Sequence, residues 1–234
     1  RVAEWPAIVA LARQPPVLGA LGLHPFFIEE WEAGTMAELR HGLTAHPRMR
    51  AVGEIGLDFV AGRADRGPQT AVFAAQVELA RQLDLPVILH NRKSWPEFFG
   101  TLRDLGAASL RGVCHHFNGS IEIARQVLDH GLYVSFCGPL TYPNARRLRA
   151  AAAFVPLERI LTETDTPDLP PASARGGYSY PYHVVEVVRA LAAVKGLPEA
   201  EVAAQVEANF RRLLGPDAAT PESAAGGGLT KEQA

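Results

Sequence analysis

Cysteine is nearly absent from this chain, its net charge is close to zero, and no long hydrophobic run crosses it. Only Cys114 and Cys137 occur among 234 residues. They form no CxxC pair, and each lies in an apolar strand-like run where small buried thiols are common, so a disulfide framework is excluded. The 23 Lys+Arg and 25 Asp+Glu give a formal charge of 23 − 25 = −2. A protein that reads duplex DNA needs a basic face to collect phosphates, and this balance argues against one. No segment approaches the roughly 18 uninterrupted apolar residues of a membrane span. The N-terminal stretch also lacks the basic start, apolar run and small-residue cleavage site of a secretory signal. The expected setting is therefore the cytoplasm, with no membrane partner. Methionine is missing from the first position, where Arg1 stands, so the chain is expected to begin downstream of the start of translation. What is abundant is apolar. A composition of 47% hydrophobic and 21% charged residues excludes disorder as the main state and permits one large core.

Short β-rich runs alternate with longer helix-like segments, the pattern of a parallel sheet built from βαβ units. Six strands are expected, at Val17–His24, Arg50–Ile55, Pro86–Asn91, Gly112–Phe117, Leu132–Cys137 and Arg159–Asp165. Between them, apolar residues recur at three- and four-residue spacing, as in Gln69–Leu83 with Val72, Phe73, Gln76, Leu79, Ala80 and Leu83 on one face. The chain opens on a helix, Val2–Arg13, and closes on two more, Pro181–Val194 and Pro198–Leu214. Six parallel strands suit either an open doubly wound sheet or a barrel with strands missing. A closed (β/α)8 TIM-type barrel takes about 250 residues and eight strands. One further βαβ unit before Val2 would complete it, so residues 1–214 are read as a single α/β barrel domain lacking its first βαβ portion. The Gly- and Pro-rich tail, 215–234, is expected to be disordered.

In such folds chemistry gathers where strands end. Four of the eight histidines fall there: His24, His90, His115 and His116. Glu54, Glu163 and Asp165 join them, with Arg92 closing the third strand. Several carboxylates brought to one face cost several kcal/mol unless a cation compensates them. A divalent metal held by imidazole and carboxylate supplies that charge, and donors without cysteine suit Zn, Mn, Fe or Mg. Along a strand His115 and His116 point to opposite faces, so one of them is expected to look inward, whereas Glu163 and Asp165 share a face. Each residue also has a plain structural reading. His24 could bond local backbone, Glu54 could pair with an arginine, and His90 could pair with Asp84 or Glu97 on the surface. His116 and Glu163 could support ligands from behind, and Asp165 could be a turn residue. Five strand ends carrying such residues together favour the metal.

These segments resemble the TatD family of metal-dependent deoxyribonucleases, within the amidohydrolase-like barrels. The matching stretches are GLHP at Gly22–Pro25, GEIGLDF at Gly53–Phe59, LPVILHNR at Leu85–Arg92, GVCHHFNGS at Gly112–Ser120, LTETDTP at Leu161–Pro167 and NFRRLLG at Asn209–Gly215. Arg66, Gln69, Phe73 and Gln76 fit the family's helix before the third strand. The resemblance implies a two-metal hydrolase that attacks DNA at single-stranded or frayed 3′ ends, with Mg, Mn or Zn as its ions. Glu54 would bridge, His90 and His115 would hold one ion, and Asp165 would serve the other and the attacking water. His24 and Arg92 would contact phosphate. The family's HxH ligand pair is not found in this chain, which is read either as a fragment or as a variant with half the site. Two smaller departures are His116, where the family carries cysteine, and Ser179-Tyr180, where it carries Asn-Glu. The run Arg146-Arg147-Leu148-Arg149 is read as a solvated helix face. The rival readings are another amidohydrolase-like enzyme, which would bridge its metals with lysine where Glu54 stands, and a catalytically silent metal-binding barrel or scaffold.

Overall fold

The computed structural model describes residues 1–60, 65–107 and 110–215. The tail expected to be disordered lies, beyond Gly215, outside the described residues. Strands and helices alternate: α1 (Trp5–Ala12), β1 (Gly19–Leu21), α2 (Thr35–Thr44), β2 (Met49–Asp58), α3 (Arg66–Gln82), β3 (Val87–Arg92), α4 (Trp95–Asp104), β4 (Gly112–Cys114), α5 (Ile121–Asp129), β5 (Tyr133–Phe136), α6 (Arg146–Phe154) and β6 (Ile160–Thr162). Two helices, α7 (Val184–Lys195) and α8 (Glu199–Leu214), follow β6. All six expected strands are present. Most are shorter than the apolar runs that announce them, because the last residues of each run leave the ladder for the loops.

The six strands form one parallel sheet in sequential order from β1 to β6, those two being its edges. Strand alternation sorts the residues of β3 into two sets. Val87 and Leu89 pack into the main core beneath the helices. Ile88 turns the other way and packs with Val113, Tyr133, Leu161 and Leu213. His90 and Arg92 follow Ile88 on that inner face at two-residue spacing. Among the described residues no helix is long and apolar enough to cross a membrane.

Where strands stop pairing, their backbone groups still need partners. Helix α3 supplies them from two buried glutamines, Gln69 and Gln76, on one face. The Gln76 amide accepts from the Leu23 N–H at 2.7 Å and donates to the Leu23 carbonyl at 3.1 Å. Gln69 treats Asp58 the same way, at 2.9 and 3.1 Å. Asn209 of α8 donates to the carbonyls of Leu157 and Ile160, both at 2.8 Å, pinning the last helix to the start of β6. Gly56 sits at φ 146°, and a Cβ there would collide with the His90 carbonyl oxygen, so glycine is required where β2 and β3 approach at this level.

Replacing Gln76 with leucine strands a buried N–H and a buried carbonyl, and should cost about 2–4 kcal/mol in urea unfolding. The exposed Gln126→Leu should shift stability by under about 0.5 kcal/mol. Equal midpoints for the two variants would refute the clamp.

Candidate metal centre

One cavity of about 560 Å³ opens where the strands end, and its lining includes His24, Glu54, His90, Arg92, His115, His116 and Asp165. Glu54 lies within β2, and His90 and Arg92 close β3. His115 follows β4 by one residue, and Asp165 lies three residues beyond β6. Glu163 is the one expected residue outside that lining; its carboxylate accepts the His116 N–H and stands 3.7 Å from His115 Nδ1.

Two donor groups share Glu54. His24, Glu54 and His90 form one and Glu54, His115 and Asp165 the other, the ligand atoms of each lying within 4.8 Å of one another. Glu54 Oε2 stands 3.3 Å from His115 Nε2 and 3.8 Å from His24 Nε2. His90 thus groups with His24 rather than with His115, although His90 Nδ1 and His115 Nε2 face each other at 3.4 Å. Each imidazole is oriented from behind. His24 accepts the Phe26 N–H at Nδ1, 3.1 Å away, which turns Nε2 toward Glu54. His90 Nε2 meets Asp58 Oδ2 at 3.2 Å, and Asp58 is fully buried. Glu163 serves His115 in the same manner.

The electrostatics reflect this crowding. Burial raises the Glu54 pKa, the His115 charge opposes that rise, and the charges of Asp165 and Glu163 add to it. Asp165 is also raised, chiefly by burial. Burial would push His115 down, but its hydrogen bond with Glu163 and the surrounding carboxylates lift it to about 9. His90 moves the opposite way, to about 4, through burial and the neighbouring His115 charge, with Asp58 opposing. The carboxylates around His115 thus favour positive charge at the middle of the cluster. Nitrogen and oxygen donors converging around such a demand fit a divalent cation.

Several expectations change. His90 does not pair with Asp84 or Glu97, which face Arg111 and Arg66 instead. The partners seen for Glu54 are imidazoles rather than an arginine. His115 and His116 line the same cavity, because β4 stops at Cys114 and His116 takes φ 42°, ending the strand alternation. Asp165 is a turn residue and a cavity residue at once, its carbonyl accepting the Asp168 N–H at 2.8 Å. In the arginine run Arg146 and Arg147 are exposed, as a solvated face requires, whereas Arg149 is half-buried and donates to the carbonyls of Leu140 and Thr141. Asp58 escapes a reading of the strand ends one by one; its signal is the second carboxylate of the GEIGLD stretch, four residues after Glu54 on one strand. Asn118 and Asp168 also line the cavity; Asn118 lies one residue past the expected strand Gly112–Phe117 and Asp168 three past Arg159–Asp165.

Comparison with known proteins agrees with this geometry. The chain is 34% identical over 198 residues to the uncharacterized metal-dependent hydrolase YabD of Bacillus subtilis, covering 85% of this chain and 77% of that one. It is 34% identical over 213 residues to a protein of Erwinia tasmaniensis named 3′-5′ ssDNA/RNA exonuclease TatD, covering 88% and 82%. The crystal structure of the TatD homologue YjjV from Escherichia coli superposes with a TM-score of 0.84 at 31% identity, covering 92% of this chain and 83% of that chain. The sequentially ordered parallel sheet is thus of the TIM-barrel type and not an open doubly wound one. With the family model for TatD-related DNases matching residues 1–215, the chain belongs to the TatD family of metal-dependent hydrolases.

Proposed function

We propose that the protein is a phosphodiesterase that removes nucleotides from single-stranded or frayed 3′ ends through metal-activated water. The observation that carries this reading is Glu54, one carboxylate shared by two donor groups at the strand ends. The cavity lining described contains no lysine, which favours this reading over a rival with a lysine bridge. The Erwinia relative's name supports a nucleic-acid substrate. Both cysteines are free and buried, in keeping with a cytoplasmic setting.

Two divalent ions, Mg, Mn or Zn, would polarise the phosphoryl oxygen and acidify a bound water. His24, Glu54 and His90 would hold one, and Glu54, His115 and Asp165 the other. The remaining steps belong to the chain. Asp58 and Glu163 fix the ring orientations of His90 and His115, so the donor nitrogens need no reorganisation. Asp165, at the cavity wall, orients the attacking water and accepts its proton. Arg92, exposed at the rim, presents its planar N–H fork to a phosphate oxygen.

Stripped with chelator and resupplied with Mn²⁺, the protein should carry at least one ion per chain by elemental analysis, and Glu54→Gln should lower that content. A wild-type protein that retains no metal overturns the site. His90→Ala and Asp165→Ala should each abolish release of 3′-terminal nucleotides while far-UV circular dichroism stays unchanged; activity surviving both substitutions removes the mechanism. Asp58→Asn should weaken metal affinity by about 10–100-fold, measured by calorimetry. Unchanged affinity would reduce Asp58 to a packing role.

A further inference from the structure

The loop after β6 carries side chains that the metal centre does not use. Tyr178, Tyr180 and Tyr182 are 68%, 47% and 67% exposed. The rings of Tyr180 and Tyr182 lie parallel within 5°, their centroids 5.6 Å apart. The loop is anchored at Ser179, which is buried between two of them. Its N–H donates to the Pro167 carbonyl at 2.8 Å and its hydroxyl donates to the Thr164 carbonyl at 2.7 Å. Thr164 and Pro167 bracket Asp165, so the tyrosines are fixed to the turn that carries a cavity carboxylate. Tyr180 is extended, at φ −132° and ψ 153°, which accords with Ser179 pointing inward and its tyrosine neighbours pointing out. The same loop carries Arg175, whose guanidinium lies 4.9 Å over the ring of Tyr142, and the Tyr142 hydroxyl donates to the Pro170 carbonyl.

From this arrangement, and resting on the nucleic-acid reading above, we infer that Tyr178, Tyr180 and Tyr182 form a stacking platform for the bases of a single strand whose terminal phosphodiester occupies the cavity. A chain of net charge −2 has no overall excess of basic charge with which to hold a polyanion. Contacts that do not depend on charge would add affinity for nucleotides beyond the metal centre. Exposed aromatic faces supply them without regard to base identity. Tyrosine also serves protein interfaces, and a second copy of this chain is the rival occupant that the test separates.

The test is fluorescence anisotropy with a labelled short oligothymidylate and with an abasic strand of equal length. The Asp165→Asn protein in Mg²⁺ serves as parent, so that turnover is blocked. Tyr178→Ala and Tyr182→Ala should each weaken oligothymidylate binding about tenfold, and Tyr178→Trp should restore it. The parent should bind the abasic strand more weakly than either single alanine variant binds oligothymidylate. Tyr178 is the most exposed of the three, so its truncation leaves the core intact, and thermal melting of each variant verifies the fold. The platform is overturned if the double alanine variant binds oligothymidylate as tightly as its parent, or if the parent does not distinguish the abasic strand. It is equally overturned if the substitutions abolish a dimer of this chain and leave strand affinity unchanged. Turnover of bis(p-nitrophenyl) phosphate by wild-type protein reports the metal centre separately. Turnover without tyrosine-dependent binding removes the platform alone; tyrosine-dependent binding without turnover supports the platform and removes the hydrolase reading.

Discussion

Strand termini that leave the sheet without losing their hydrogen bonds are the constraint on which this structure depends. Pairing of β1 with β2 ends at Leu21 and Val52, short of the cavity, and buried amides left unpaired beyond that point are costly. Gln69 and Gln76 meet that requirement from one helix face. Each closes a two-bond ring with the backbone of a single residue, Asp58 or Leu23. Asp58 then holds His90, and Leu23 leads directly into His24. A packing helix thereby fixes two imidazoles through the residues it clamps. The backbone geometry of the metal centre is accordingly set by the outer layer of the fold.

The cavity also concentrates what the rest of the fold avoids. The main core is built from apolar side chains, whereas Glu54, Glu163 and Asp165 converge around His115. Burial and like charges raise Glu54 and Asp165; Glu163 is lowered despite its burial, because His115 and the His116 N–H stabilise its charge. Such a cluster opposes folding unless a positive charge joins it. The same arrangement thus both fits a cation and, without one, works against the stability of this part of the fold. Within the cluster, Glu163 is held in place by the His116 N–H that it accepts.

The legible part of the fold is its period. Short β-rich apolar runs locate all six strands, and the three- and four-residue spacing of Val72, Phe73, Gln76, Leu79 and Ala80 locates the buried face of α3. The presence of polar residues at strand ends is also readable, since His24, Glu54, His90, His115 and Asp165 each follow an apolar run. Their pairing is not readable. Which histidine meets which carboxylate depends on the register between strands, and β2 against β3 shifts between Val52 and Ile55. The orientation of His116 is hidden for another reason. Period-two reasoning assumes extended backbone, and His116 and Asp165 have φ of 42° and 52°.

Those two left-handed residues bear on function as well as on legibility. Positive φ is unfavourable for side chains with a Cβ, and histidine and aspartate tolerate it better than most. At His116 it brings a second imidazole onto the cavity wall next to His115. At Asp165 it reverses the chain within a turn closed by the Asp168 N–H, so that the carboxylate stays at the cavity while the following residues fold back to meet Ser179. A regular strand could not do both, since residues beyond Asp165 would continue away from the sheet. The departure from β geometry is therefore what allows one short segment to line the cavity on one side and carry the tyrosine loop on the other.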